Sequence, residues 1–423
     1  MVTEGKKEKK KYPNPFRVLV LATFIDRLGG FLLFPFFSVY LIDHFNVTII
    51  EVGVLFFIFA LGSIIGSTIG GALTDKYGRR SMLLFGLISS GIGSILMGIV
   101  NDLYLFFIIA AVLGVLGDLG GPARQAMVVD LLPEDKRADG FGLLRVAVNL
   151  SAVGGPILGG MLYRYSYLIL FVSDAVSSLI TALIVFIVIP ETKPEKQDDK
   201  PEESLGKTLI GYIEVVKDYV FILFLAVSAL TVLVYMQMNS TLSVFLWELY
   251  NFPLEWFGAL LSMNALMVVA FQFWITRRTA KYAPMKMMAL GTLFYMIGFV
   301  MYGFVSEWYL FFVAMAILTV GEMIVIPVSQ ATVARFASED KRGRYMAVYG
   351  FHWSIPTLFG ISGASIVYFY IGQKWVWYIA GILCLIAIFG FLILNGVTKK
   401  RLTKKTDTLV EELGLELREE RSE

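Results

Sequence analysis

The chain has 423 residues, 57% of them hydrophobic and only 17% charged, with a mean hydropathy of +0.72. A soluble domain carries about 45–50% apolar and about 25% charged residues, so a water-covered surface is excluded and lipid is the fitting solvent. A net charge of +2 and a pI of about 8.3 give no footing for a nucleic-acid partner. One cysteine, Cys384, and two histidines, His44 and His352, exclude an intrachain disulfide and a histidine- or cysteine-rich metal site, and no cofactor is expected.

In chain order, Lys6, Lys7, Lys9, Lys10 and Lys11 precede an apolar stretch that contains Asp26 and Arg27 and has no small-residue cleavage site. This reads as a cytoplasmic tail (1–16) leading into a spanning helix, not as a removable leader. About 20 apolar residues span a bilayer. On that basis twelve spans are expected, over 17–42, 51–73, 80–100, 103–131, 139–163, 167–190, 218–249, 254–276, 285–305, 308–337, 343–371 and 375–397. The five loops that alternate onto one side hold eighteen Lys and Arg, whereas the six opposite loops hold two, Arg164 and Lys374. By the positive-inside rule the basic side is cytoplasmic, which puts both termini inside a multi-pass protein of the cell (inner) membrane.

Residues 191–217, proline-rich and charged, read as a solvated cytoplasmic linker that divides the chain into halves over 17–190 and 218–397. The tail (398–423), with Leu409, Leu413 and Leu417 among glutamates, has the pattern of an amphipathic helix. A shift of 205 residues superposes Lys76-Tyr77 on Lys281-Tyr282, Pro122 on Pro327, Gln125-Ala126 on Gln330-Ala331, and Glu134-Asp135-Lys136-Arg137 on Glu339-Asp340-Lys341-Arg342. The halves are therefore expected to be parallel repeats. The fold expected is an all-α membrane protein, twelve transmembrane helices in two pseudo-symmetric six-helix bundles around a central cavity.

Between the second and third spans runs Gly71-Ala72-Leu73-Thr74-Asp75-Lys76-Tyr77-Gly78-Arg79-Arg80. Its glycines suit a tight turn and Asp75 suits a helix start. This segment resembles the cytoplasmic loop signature of the major facilitator superfamily, G-x-L-x-D-R/K-x-G-R-R/K, at every fixed position. The resemblance implies a cytoplasmic gating motif in which Asp75 and Arg79 form a charge relay with Asp130. The second-half loop, Ala280 to Pro284, lacks the aspartate and both glycines, so the gating is expected to be one-sided. Helix five carries Gly155-Pro156-Ile157-Leu158-Gly159-Gly160, similar to a motif of drug:proton antiporters, with Ser151 where a further glycine is usual. Over the whole chain the resemblance is greatest to the twelve-helix antiporters of that type. It departs from them in helix four, where an arginine is frequent and this chain reads Gly117-Asp118-Leu119-Gly120-Gly121-Pro122.

Ionised groups are costly in hydrocarbon and mark functional interiors. Within the spans lie Asp26, Asp118, Asp174 and Glu322 against Arg27, Arg124 and Arg145. The resemblance places helices one, four, seven and ten around the cavity, which makes Asp26, Glu322 and Asp118 the candidate proton-coupling acids, with Arg27, Arg124 and Arg145 as charge partners. The alternative is structural pairing, Asp26 with Arg145 or Asp118 with Arg124, and Asp174 is read as structural. His352 is either a titrating group or a packed ring. Gln237, Asn239 and Gln330 are candidate substrate contacts, and Phe31, Phe34, Phe36, Tyr235, Trp247, Phe271 and Trp353 candidate pocket aromatics.

No HExxH, GxSxG or GxxxxGK[ST] pattern is present, so neither an enzyme nor an ATP-driven pump is expected. The reading is a monomeric secondary transporter exporting small, partly hydrophobic compounds in exchange for protons by alternating access. Uptake of a nutrient such as a sugar or organic anion, or lipid flipping, are its alternatives.

Overall fold

The computed structural model describes residues 12–193, 215–336 and 342–419. The basic run Lys6–Lys11, most of the linker (194–214), Glu339 to Lys341 of the repeated charged block, and residues 420–423 lie outside the described residues. No strand occurs among the described residues. Among the described residues twelve helices are long and apolar enough to cross a bilayer: α1 Asn14–Phe45, α2 Ile49–Tyr77, α3 Arg79–Ile99, α4 Leu103–Leu131, α5 Asp139–Leu162, α6 Tyr167–Val188, α7 Tyr219–Asn239, α8 Leu254–Thr279, α9 Pro284–Phe304, α10 Trp308–Val333, α11 Val348–Ile371 and α12 Trp375–Thr398. Helix is dictated by the solvent, because lipid offers no partner for a peptide N–H or C=O and the segment must satisfy its own. The outward positions are apolar, with Ile187, Phe273 and Ile393 exposed, while Ser94, Ser151, Ser178 and Thr181 are buried. That polarity is the reverse of a soluble bundle.

Three boundaries differ from the sequence expectation. α1 starts three residues earlier, at Asn14, and is interrupted by a tighter turn at Phe34–Phe36 around Pro35. α7 stops at a similar turn, Gln237–Asn239, and continues after Ser240 as Thr241–Tyr250. The last helix does not end near 397 but runs on as one element, Trp375–Glu419.

The chain divides into two compact units. Unit 1 comprises Met1–Val47, Val54–Lys200 and Pro253–Ala265; unit 2 comprises Thr48–Gly53, Pro201–Phe252 and Leu266–Glu423. In unit 1, α1 packs on α5 and α6, and α3 on α4 and α6; in unit 2, α7 packs on α11 and α12, and α9 on α10 and α12. These are the same pairings with six added to each helix number. The repeat reaches single backbone angles. Asn46 (φ 51°) and Asn251 (φ 48°), 205 positions apart, are the described non-glycine residues in left-handed conformation, and each ends a helix. Asparagine tolerates that conformation better than most residues.

Unit 1 is centred on Phe16, Leu19, Met82, Leu83, Ala123, Met127 and Val185 from α1, α3, α4 and α6. Unit 2 is centred on aromatics, with Trp377 stacked on Phe299 at 6.3 Å and edge-on to Phe245 at 5.1 Å. Small residues set the helix spacing. On α2, Gly62, Gly66 and Gly70 form one stripe against Gly114, Val115 and Leu119 of α4, and a side chain at Gly66 would overlap the Val115 carbonyl. Gly66→Leu is expected to destabilise unit 1 by about 1–3 kcal/mol, seen as a lower apparent melting temperature of the purified protein. Gly396→Leu, which meets nothing within 4 Å, is expected to leave it unchanged.

Candidate functional site

Three clusters of polar side chains stand out, two in unit 1 and one in unit 2. The first lies at the turn between α2 and α3. Gly78 adopts φ +101°, a conformation strained for a residue with a Cβ. Asp75 does not start a helix; it ends α2, one turn before Arg79. Arg79 reaches Asp75 at 3.1 Å and Asp130 of α4 at 3.2 Å, so one guanidinium bridges both carboxylates. Gly71 has nothing within 4 Å of its Cβ position. Lys76 lies over the Tyr77 ring at 5.1 Å, and Arg80 over the Phe186 ring at 5.0 Å.

The start of α3 is capped by Glu191, a residue the sequence reading had placed in a solvated linker. Its carboxylate accepts the backbone N–H of Arg79 at 2.7 Å, Arg80 at 3.2 Å, and Thr192 and Lys193 at 3.0 Å each. Thr192 donates to Asp130 at 3.1 Å, and the Lys193 ammonium donates to the Lys76 carbonyl at 2.9 Å. Unpaired N–H groups and the helix dipole make a helix start attractive to an anion, which one charged position in a run of charges did not reveal.

The second cluster lies within the spans of unit 1. Asp26 of α1 accepts from Arg124 of α4 at 2.8 Å and from Ser178 of α6 at 3.4 Å, with Arg27 at 3.9 Å. Asp26 thus pairs with Arg124 of α4, and not with Arg145 as one alternative had it. Asp118 takes its hydrogen bond from the Ser63 hydroxyl of α2 and not from Arg124. Asp174, read as structural, belongs to this cluster, since Arg27 lies in the field of Asp26, Asp118, Asp174 and Arg124 together. The Arg27 side chain is 52% exposed although it sits inside a span. A guanidinium inside a span needs water or a counter-charge, and Asp26 supplies the latter. Arg145 is exposed on α5.

On α5, Gly155 and Gly159 press on Phe31 and Leu32 of α1, while Gly160 and Pro156 meet the first turns of α8, at Glu255 and Gly258, within unit 1. Ser151, where a glycine is usual, is buried and bonded to the Phe24 carbonyl of α1 at 2.8 Å. At the end of this helix Arg164 and Tyr163 both bind Glu255.

The third cluster, in unit 2, centres on Glu322 of α10, which is 9% exposed and accepts from the Tyr235 hydroxyl of α7 at 3.1 Å. A small cavity adjoins it, lined by Tyr235, Trp353, Tyr295 and Ser228 among others. Phe36, by contrast, is wholly buried, and Phe34 and Phe271 are exposed. Gln237 does not present its amide to a cavity. It donates to the Leu233 and Gly360 carbonyls at 2.9 and 3.0 Å and accepts from Thr241 at 2.7 Å, stitching the break in α7. Asn239 and Gln330 are half-buried. His352 is buried, stacked on Tyr349 at 3.9 Å, with Nδ1 on the Tyr349 carbonyl at 2.7 Å, the packed alternative of the two expected for it.

The family model of the Major Facilitator Superfamily matches residues 19–304 and 250–420, and the chain belongs to that superfamily of membrane transporters; it is not an enzyme. It is 26% identical to a Na(+), Li(+), K(+)/H(+) antiporter of Planococcus maritimus, covering 93% of this chain and 98% of that one. It is 24% identical to the multidrug resistance protein MdtH of Shigella sonnei, over 92% and 95%. Among solved structures, a bacterial homologue of the human lysosomal transporter Spinster shares the fold, with a TM-score of 0.75 at 13% identity over 91% and 97%.

Burial raises the Glu191 carboxyl pKa, but the four N–H groups lower it further, and the net position is below the ordinary carboxylate range. A depressed folded-state pKa means the clamp is intact at neutral pH and is lost only as pH falls through that lowered value. Glu191→Ala is expected to speed amide hydrogen exchange at Arg79 and Arg80 by about an order of magnitude at neutral pH. In the unsubstituted chain the same loosening, measured against Glu191→Gln, is expected only in acid.

Proposed function

We propose that this transporter is a proton-coupled antiporter that exports small, partly hydrophobic compounds, working as a monomer in the cell membrane with both termini cytoplasmic. The observation that carries the reading is the charge balance of the second cluster. Around Arg27 stand three carboxylates, Asp26, Asp118 and Asp174, and one other guanidinium, Arg124. Three acids with two bases make the group neutral when one proton is bound and singly negative when it is not. A low-dielectric interior favours the neutral form, and the partly exposed Arg27 side chain supports access of a proton to the cluster.

Loading and releasing that proton on opposite faces would drive exchange. One charge moved through 100 mV is worth about 2.3 kcal/mol, which sustains roughly a fifty-fold substrate gradient. The names of the relatives, an antiporter and a multidrug resistance protein, support export in exchange for protons. A second reading, exchange of alkali cations for protons, is favoured by the first of them, which aligns over nearly its whole length.

The test is transport into everted vesicles or proteoliposomes under an imposed pH gradient, using a fluorescent dye and, separately, sodium. Asp26→Asn is expected to bring the gradient-driven accumulation ratio from tens toward one, while substrate counterflow without a gradient persists. Unchanged gradient-driven accumulation in that variant would defeat the assignment.

A further inference from the structure

We infer that the turn between α8 and α9, in unit 2, binds the phosphate headgroup of an anionic phospholipid. The inference rests on the chain's place in a bilayer and not on the proposed transport reaction.

The repeat shows what this turn has lost. In unit 1 the cations between α2 and α3 are answered by acids: Arg79 pairs with Asp75 and Asp130, and Glu191 covers the start of α3. Moved on by 205 positions, Asp75 becomes Ala280, Asp130 becomes Arg335 and Glu191 becomes Gly396. Lys76 is kept as Lys281, and Arg277, Arg278 and Lys286 flank it. All four of these side chains are exposed, and the ion pairs among the described residues include none of them. The helix ends do not answer the charge either. The end of α8 carries about half a negative charge and the start of α9 about half a positive one, so the two cancel.

The rings beneath identify where the phosphate comes from. Arg277 lies over the Phe273 ring at 4.1 Å and Arg278 over the Trp274 ring at 5.6 Å. Each ring is one turn, about 6 Å, further into the span than its guanidinium. Phe273 is 68% exposed and Trp274 60%. A guanidinium stacked by its face keeps its edge N–H groups free, and those fork onto phosphate oxygens. Phosphate at that edge, with uncovered apolar rings one turn deeper, matches a phospholipid, whose phosphate continues into glycerol and acyl chains. A free phosphate carries nothing to lay against the rings. A zwitterionic headgroup brings an ammonium that finds no carboxylate at this turn, so a lipid of net negative charge is preferred.

The experiment is native mass spectrometry of the purified full chain in detergent, titrated with phosphatidylglycerol and, separately, with phosphatidylcholine of the same acyl chains. Phosphatidylglycerol is expected to bind more tightly by about tenfold or more, and an excess of inorganic phosphate is expected not to displace it. Arg277→Gln and Arg278→Gln are each expected to weaken it about fivefold. Phe273→Ala with Trp274→Ala is expected to weaken it several-fold with every charge kept. Arg17→Gln, at an exposed cation near the start of α1, is expected to leave it unchanged. The substituted side chains are all exposed, so the apparent melting temperature without lipid is expected to stay put while its rise on adding phosphatidylglycerol shrinks. Equal affinity for the two lipids, or a loss in Arg17→Gln as large as in Arg278→Gln, overturns the site. Displacement by inorganic phosphate overturns it too, in favour of a soluble anion.

Discussion

An ionised side chain inside a bilayer needs a counter-charge or water, and most of the polar organisation of this transporter follows from that. Asp26 and Arg124 stand 2.8 Å apart, each side chain 14% exposed, on predominantly apolar helices. Desolvating two charges costs several kcal/mol for each, and close pairing with further hydrogen bonds recovers part of it. Ser178 supplies one such bond to Asp26, and Ser63 does the same for Asp118. The pairs thus fix which faces of α1, α2, α4 and α6 point inward, and small residues let the helices close around them.

The two units meet this constraint differently, although their helix pairings repeat. Unit 1 concentrates charge, with Asp26, Asp118, Arg124 and Asp174 all acting on Arg27. Unit 2 holds Glu322 among tyrosines, serines and Trp353.

The cytoplasmic turn shows the same physics at the membrane edge. Arg79 bridges Asp75 and Asp130, and Glu191 covers the exposed N–H groups at the start of α3. Thr192 and Lys193 extend that contact to Asp130 and to the end of α2. The chain leaving α6 is therefore tied to the turn between α2 and α3. A shift of either would be felt by the other through the Arg79 and Arg80 N–H groups on Glu191 and the Lys193 ammonium on the Lys76 carbonyl.

Span number and the parallel repeat were legible in the residues alone, because lipid imposes a length and an apolar composition on each helix and a repeat keeps its spacing. The loop motif was legible for the same reason, its glycines and charges being local. Pairing was not. The residues alone offered Arg145 as a partner for Asp26 and Arg124 for Asp118, and only the azimuth of each helix, set by how glycines and serines pack, brought Arg124 to Asp26. Glu191 looked like any acid in a charged run until folding set it against a helix start, and Gln237 looked like a substrate contact until the break in α7 engaged its amide. One-dimensional pattern determined how many helices there are and where charge sits along them. Rotation and packing of those helices decided which charges meet, because neighbours across a bundle are chosen by helix faces that a linear sequence does not order.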